Sequence, residues 1–216
     1  MRDAEPVAVM VAGSRGRLPA ALKSAPFVVC ADGGAKRARE AGWRPHVVVG
    51  DLDSLDPDTL AWVERIGAQV LRHPRDKDKT DTELAVDLVA ERGYQRAYLL
   101  SALGGRPDHL LGNLLLLHYA AQRGLDLRIR QGGILVQLVR GRVRLDARPG
   151  DLVSLFSILP ASSGISTRGL RFALVDGTLR LGSSLGISNE VTAQDPEVEV
   201  REGELLAIRI RGRRWG

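Results

Sequence analysis

Continuous apolar runs alternate with amphipathic stretches through the first half of the chain. Pro6 to Ala12, Pro26 to Ala31, Val47 to Val49, Ala68 to Leu71 and Ala97 to Leu103 read as buried strands, because a strand covered on both faces shows no polar alternation. Leu18 to Lys23, Ala35 to Ala41 and segments opening at Asp56, Thr80 and Asp108 read as helices between and after them. Asp56 is the expected N-cap of its helix, with Pro57 at the first helical position. Thr80 with Glu83 fits a capping box, and Leu84, Ala85, Leu88 and Val89 then supply an apolar face that Gly93 ends. Such alternation predicts an α/β fold with a mostly parallel open sheet and flanking helices.

After Gly124 the pattern changes. Leu125 to Arg130, Ile134 to Val139, Arg142 to Leu145, Leu152 to Leu159, Leu170 to Val175, Leu179 to Leu181, Glu197 to Val200 and Glu204 to Ile210 are short strand candidates separated by Gly, Pro or Asp turns. That spacing predicts a C-terminal all-β sandwich domain. The expected division lies between Gly124 and Gly133, with residues 1–126 as the α/β domain and 127–216 as the sandwich.

Composition narrows the class. A chain of 216 residues with 44% hydrophobic and 26% charged residues has a globular balance, not that of a disordered segment. The net charge of +5 comes from scattered arginines, and only 4% of residues are aromatic. A solvated basic face accounts for this better than a nucleic-acid site with stacking platforms. The single cysteine, Cys30, sits in an apolar run and reads as a small buried hydrophobe. No stretch has the length of a signal-peptide core or a membrane helix, so a cytoplasmic protein without membrane partners is expected.

The chemistry concentrates where strands end. Asp32-Gly33-Gly34 follows the second strand, Gly50-Asp51-Leu52-Asp53-Ser54 the third, and Asp81 opens the helix after the fourth. Ligands of open α/β sheets bind in the crevice at the carboxyl ends of the strands. Carboxylates gathered there repel one another unless a cation lies between them, and hard oxygen ligands suit Mg²⁺ carrying a nucleotide's phosphates. Gly104-Gly105-Arg106 would let an arginine approach the same ligand, with Asp108 as the cap of the next helix, His109 in its first turn and Asn113 one turn further on the same side. Asp81 and Asp108 each have a structural reading as well, since an acid in a first turn is favoured by the helix dipole.

In order along the chain, Asp32-Gly33-Gly34-Ala35, Gly50-Asp51-Leu52-Asp53-Ser54, Lys77-Asp78-Lys79-Thr80-Asp81 with Glu83-Leu84-Ala85, Gly104 to His109 with Asn113, Gly169-Leu170 and Ser188-Asn189-Glu190 resemble the successive motifs of thiamine pyrophosphokinases. The resemblance covers nearly the whole chain. It implies an α/β domain followed by a β-sandwich, a homodimer, ATP as co-substrate with Mg²⁺, and thiamine bound at the subunit interface. It assigns the metal and triphosphate to Asp51, Asp53 and Asp81 with Asp32 beside them, phosphate contacts to Lys79 and Arg106, and the thiamine end to Ser188 and Asn189. Gly33, Gly34, Thr80, Asp108, His109 and Asn113 join these as binding residues. Two positions depart from the family pattern: Lys36 stands where asparagine is common, and Phe172 stands where tryptophan is common.

The implied reaction moves a diphosphoryl group from ATP to thiamine, with Asp81 or Asp51 taking the hydroxyl proton. Alternatives of other kinds are a pyrophosphokinase acting on a different hydroxymethyl heterocycle such as a pterin, a non-catalytic thiamine or nucleotide sensor, and a basic nucleic-acid binder. Gly169 to Phe172 and Ser188 to Glu190 separate the first from the thiamine enzyme, the three acids argue against the second, and binding that ignores Asp51 and Asp53 would mark the third.

Overall fold

The computed structural model describes residues 7–212; Pro6 of the first expected strand and Arg213 and Arg214 of the basic tail lie outside the described residues. The chain divides into two compact units, Met1–Gly132 and Gly133–Gly216.

In the first unit, strands β1 (Val7–Val11), β2 (Phe27–Ala31), β3 (Val47–Gly50), β4 (Gln69–Arg72), β5 (Arg96–Leu100) and β6 (Asp126–Gln131) lie in the order β6-β5-β1-β2-β3-β4. Every pairing is parallel. Helices α1 (Gly34–Glu40), α2 (Pro57–Arg65), α3 (Asp81–Glu91) and α4 (Pro107–Ala121) connect them. All of β2 and β3 is buried, whereas both ends of the edge strand β4 are exposed, which accounts for the difference between Val-rich runs and Gln69-Val70-Leu71-Arg72. The order of strands reverses between β1 and β5, so the loops that leave them part and open a crevice at their carboxyl ends. Val9, Val28, Cys30, Trp43 and Val63 belong to the core that supports this crevice. Burial pushes the Cys30 thiol up, which leaves it the inert hydrophobe expected.

The caps follow the sequence in two helices and not in a third. Asp56 accepts from the Thr59 N–H at 2.8 Å, with Pro57 behind it, and Thr80 Oγ1 accepts from the Glu83 N–H at 3.2 Å. In α4 the N-cap position belongs to Arg106 and Pro107 starts the helix, so Asp108 falls inside the first turn and is not the cap. The expected helix over Leu18 to Lys23 is a single 3₁₀ turn at Ala20–Leu22, because Pro19 interrupts the segment and too few residues follow it. The strand expected to begin the sandwich is β6, paired parallel to β5 from Arg96↔Asp126 to Leu100↔Arg130. It completes a β5-α4-β6 crossover, and the division of units accordingly falls after Gly132.

The second unit is antiparallel throughout. Its strands are β7 (Ile134–Arg144), β8 (Leu152–Ser157), β9 (Ala161–Arg168), β10 (Gly177–Arg180), β11 (Asn189–Glu190) and β12 (Glu197–Ile210). Four of the expected short strands fuse into the long pair β7 and β12. A register shift between Val200 and Leu205, where Gly203 has φ +93°, bends β12 so that its first part pairs with β9 and its last part with β8. One strand thus serves both layers of the sandwich, around a core containing Val139, Val153, Ile165, Leu179 and Val198. Strand β9 was not expected, since Ala-Ser-Ser-Gly-Ile-Ser-Thr-Arg has the composition of a turn. Its hydroxyls do the work of packing: Ser162 Oγ donates to the Glu204 carbonyl and accepts from the Glu204 N–H. Conversely, Leu170 to Val175 is no strand; only Leu170 bridges to Val191, and the rest is loop.

Candidate functional site

Gly50, the last residue of β3, is the point on which the acids meet. Its φ of +147° favours glycine, and a Cβ there would lie 3.0 Å from Asp81 Cγ and 3.1 Å from Asp32 Cβ. The bare backbone therefore lets the loop after β2 and the start of α3 close on the end of β3. Leu52 adopts a left-handed φ of 65° and is buried, a conformation that costs a β-carbon-bearing residue on the order of 1–2 kcal/mol. With that side chain drawn into the core, Asp51 and Asp53 are brought to one side: Asp51 Oδ1 accepts from the Asp53 N–H at 3.1 Å.

One carboxylate oxygen from each of Asp32, Asp51 and Asp53 lies within 4.8 Å of the others. Metal–oxygen bonds of about 2.1 Å span about 4.2 Å across an octahedron, so side-chain shifts of a few tenths of an ångström bring the three within reach of a small hard cation. The chemistry of the donors agrees. Asp32 Oδ1 is buried and accepts no hydrogen bond. Burial raises the Asp32 carboxyl, Ser54 and the Gly33 N–H work against the rise, and the charges of Asp81 and Asp51 add to it. Asp51 is held below the usual range, first by the Asp53 N–H and further by Lys77 and Arg75. The sequence pointed to Asp51, Asp53 and Asp81 as the metal set; the tightest group is Asp32, Asp51 and Asp53, while Asp81 Oδ1 pairs with Lys77 Nζ at 3.0 Å.

A cavity of about 350 Å³ opens beside these acids and is lined by Gly13, Asp32, Gly33, Ser54, Thr80 and Asp81, among others. Lys36, Arg37 and His109 add positive or neutral polar groups to the same wall. A second cavity, about 440 Å³, shares Thr80 and His109 and continues between α3 and α4 past Glu83, Asp108, Asn113 and Tyr119. Arg106 and Asp108 pair on the exposed surface of the α4 start, at 2.5 Å. Asn113 is buried, and its Nδ2 donates to the Ala102 carbonyl at 3.0 Å, which ties α4 to the loop after β5. Gly34 does not line the first cavity: a Cβ on it would fall 1.8 Å from the Val11 carbonyl oxygen, so its glycine lets α1 pack on β1.

The two lysines before α3 part company. Lys79 Nζ donates to Asp87 Oδ2 at 2.6 Å and to Tyr119 Oη at 3.0 Å, and these partners push its pKa up. Arg123 completes the group through Asp87 Oδ1 at 2.9 Å and lies over the Tyr119 ring. Lys77, for which no role was expected, is the lysine among the acids. Its i,i+4 spacing to Asp81 was visible, but that rule belongs to helices and Lys77 precedes one.

In the second unit the Asn189 side chain grips a loop. Its Oδ1 accepts from the Phe172 N–H at 2.9 Å and its Nδ2 donates to the Phe172 carbonyl at 2.7 Å. Ser188 has a left-handed φ of 58°, and its N–H donates to Ser154 Oγ. What this presents is the Phe172 ring, 67% exposed, with Arg171 beside it on Glu190.

Residues 18–129 match the family model described as the thiamin pyrophosphokinase catalytic domain, and residues 142–205 match the one described as the thiamin pyrophosphokinase vitamin B1 binding domain. The thiamine pyrophosphokinase of Bacillus subtilis is 27% identical over 181 residues, covering 82% of this chain and 84% of its own. Thiamine pyrophosphokinase 1 of Arabidopsis thaliana is 28% identical over 221 residues, covering 89% and 81%. Among solved structures, the thiamin pyrophosphokinase of Geobacillus thermodenitrificans superposes with a TM-score of 0.81 at 27% identity, over 94% of this chain and 97% of that one. No helix among the described residues is long and apolar enough to cross a membrane. With more than half its length in the catalytic match and most of the remainder in the vitamin B1 binding match, the chain belongs to the thiamine pyrophosphokinase family.

Proposed function

We propose that the protein transfers the diphosphoryl group of ATP to the primary hydroxyl of thiamine, forming thiamine diphosphate and AMP. The observation that carries this reading is the convergence of Asp32, Asp51 and Asp53 at the carboxyl ends of parallel strands, with a buried Asp32 oxygen that has no donor, in a chain of this family. The vitamin B1 binding match over the sandwich favours thiamine over a pterin or another hydroxymethyl heterocycle.

Thiamine's hydroxyl oxygen bonds to the β-phosphorus, the bond from that phosphorus to the α,β-bridging oxygen breaks, and AMP leaves with the oxygen. The hydroxyl proton passes to Asp51 or Asp81. Asp32, Asp51, Asp53 and Asp81 would hold Mg²⁺, which would neutralise charge on the polyphosphate. The protein's share is positioning and charge, as in other phosphoryl transfers. Thr80, Gly33 and His109 line the cavity that would take the polyphosphate, and Arg106, exposed and paired at the surface with Asp108, would exchange that partner for a phosphate. Lys79 fixes the loop through Asp87 and Tyr119. Ser188 and Asn189 serve the thiamine end by holding the loop that displays Phe172. A homodimer fits the exposed Phe172, Val175, Leu181, Leu185 and Ile187 of the sandwich, which give a second copy an apolar surface to cover.

The test is incubation with ATP, Mg²⁺ and thiamine, with products separated and counted. Equal amounts of AMP and thiamine diphosphate are expected, and Asp51→Asn should lower the rate by about 100-fold or more. AMP formed only with another heterocycle would reject the acceptor, and no AMP with any acceptor would reject the reaction.

A further inference from the structure

Within the acid cluster, Lys77 occupies a place that no expectation gave it. Its Nζ lies 3.0 Å from Asp81 Oδ1 and 3.9 Å from Asp51 Oδ2, donates to the Pro74 carbonyl at 3.2 Å, and its side chain is only 15% exposed. We infer that Lys77 is a further residue of the reaction centre: its ammonium is an internal counter-ion to Asp51 and Asp81, competes with a divalent cation for them, and moves to the nucleotide's polyphosphate when the cation takes its place. This rests on the reading of these acids as the cation site.

Four observations carry it. Lys77 is the lysine that touches two of the acids, whereas Lys79 is engaged by Asp87 and Tyr119. The acids need a neutralising charge, since one oxygen each of Asp32, Asp51 and Asp53 lies within 4.8 Å of the others and the buried Asp32 Oδ1 has no donor. A lysine ammonium on a four-carbon stem is a compact point charge that can swing between partners, unlike the flat fork of arginine. And the carbonyl of Pro74 anchors the ammonium without neutralising it, so its charge remains available to phosphate.

The difference between the two lysines gives a measurement that does not depend on turnover. Mn²⁺ alone, with no nucleotide, would be titrated into the full chain and the free ion followed by electron paramagnetic resonance. Removing a positive charge at this range strengthens the binding of a divalent cation, so Lys77→Met should bind Mn²⁺ at least about tenfold more tightly than wild type. Lys79→Met should stay within about twofold of wild type, and Asp51→Asn added to Lys77→Met should abolish the gain. In the full reaction Lys77→Met should lose about 100-fold in kcat, and Lys77→Arg should recover part of it by restoring the charge. Circular-dichroism melts accompany each variant, and Lys77→Gln repeats the titration with a polar side chain in case the methionine disturbs the loop. Mn²⁺ affinity equal to or below wild type in both Lys77→Met and Lys77→Gln overturns the inference. Mn²⁺ binding that survives Asp51→Asn unchanged, whatever stands at residue 77, overturns the cation-site reading itself and this inference with it.

Discussion

The two units solve the same problem, placing a few polar groups at one spot, by opposite means. In the α/β unit the spot is where strands stop: Asp32 follows β2, β3 ends in Gly50, and the acids converge because the backbone there is bare or left-handed. In the sandwich the polar side chains of Ser154 and Asn189 are spent on the backbone of a loop, and what that loop shows to solvent is apolar, Phe172 at 67% exposure and Val175 at 87%. The first arrangement suits charge and phosphate; the second suits a flat ring. The lesson is that Asn189 and Asp51, both polar residues in family motifs, fail in different ways when changed.

The sharpest way to break that contrast is Gly50→Ala. A methyl group 3.0 Å from Asp81 Cγ at a φ of +147° should push the acid loops apart and lower kcat by about 100-fold or more, with steady-state kinetics and a melt as the readouts. Wild-type kcat in this variant would mean that the acids do not depend on Gly50. Asn189→Ala should act on the other side of the contrast, raising KM for thiamine about tenfold while KM for ATP stays within about twofold. An equal rise in both constants would erase the distinction between the units.

A smaller effect concerns the clamp beneath the loop. Burial works to raise Asp87, but hydrogen bonds from Lys79 and Tyr119 and the charge of Arg123 prevail and leave it below its ordinary 3.8. A depressed carboxyl stabilises the fold above the unfolded pKa, and that contribution is lost as pH falls through the folded value. Asp87→Asn should therefore melt about 3–6 °C below wild type near neutrality, with the gap closing below about pH 4. A gap that widens in acid would contradict the clamp. The smallest change expected is Phe172→Trp, which enlarges the displayed ring and should lower KM for thiamine about two- to threefold; a rise would mean that the loop does not meet the acceptor.

Much of this was legible in the sequence where a single physical rule dominates. Buried parallel strands read as unbroken apolar runs, and Asp56 and Thr80 cap their helices because a short oxygen side chain before an amphipathic segment has few other uses. The acids could be gathered from their positions after strands. What escaped depended on packing. Strand β9 buries hydroxyls and a glycine whose φ is +65° where apolar residues would be looked for, and Leu170 to Val175 is apolar for display and for packing of Leu174, not for a strand ladder. Strand β6 continues an α/β crossover, yet its sequence alone reads as well as the start of a sandwich. Lys77 and Lys79 flank one aspartate, and only the position of Asp87 and Tyr119 on α3 and α4 decides which of them faces the acids.

The bend in β12 has a consequence for the order in which the chain can be made. All six strands of the α/β unit are encoded before residue 133, so that unit can close while the ribosome is still translating the rest. The sandwich cannot. Strand β12 (Glu197–Ile210) holds β7, β8 and β9 through its two arms, and until it leaves the exit tunnel the strands already made have edges with nothing between them. A pause in synthesis after β9 would leave a finished nucleotide-type fold tethered to open strand edges, the state in which a nascent chain is most in need of a chaperone.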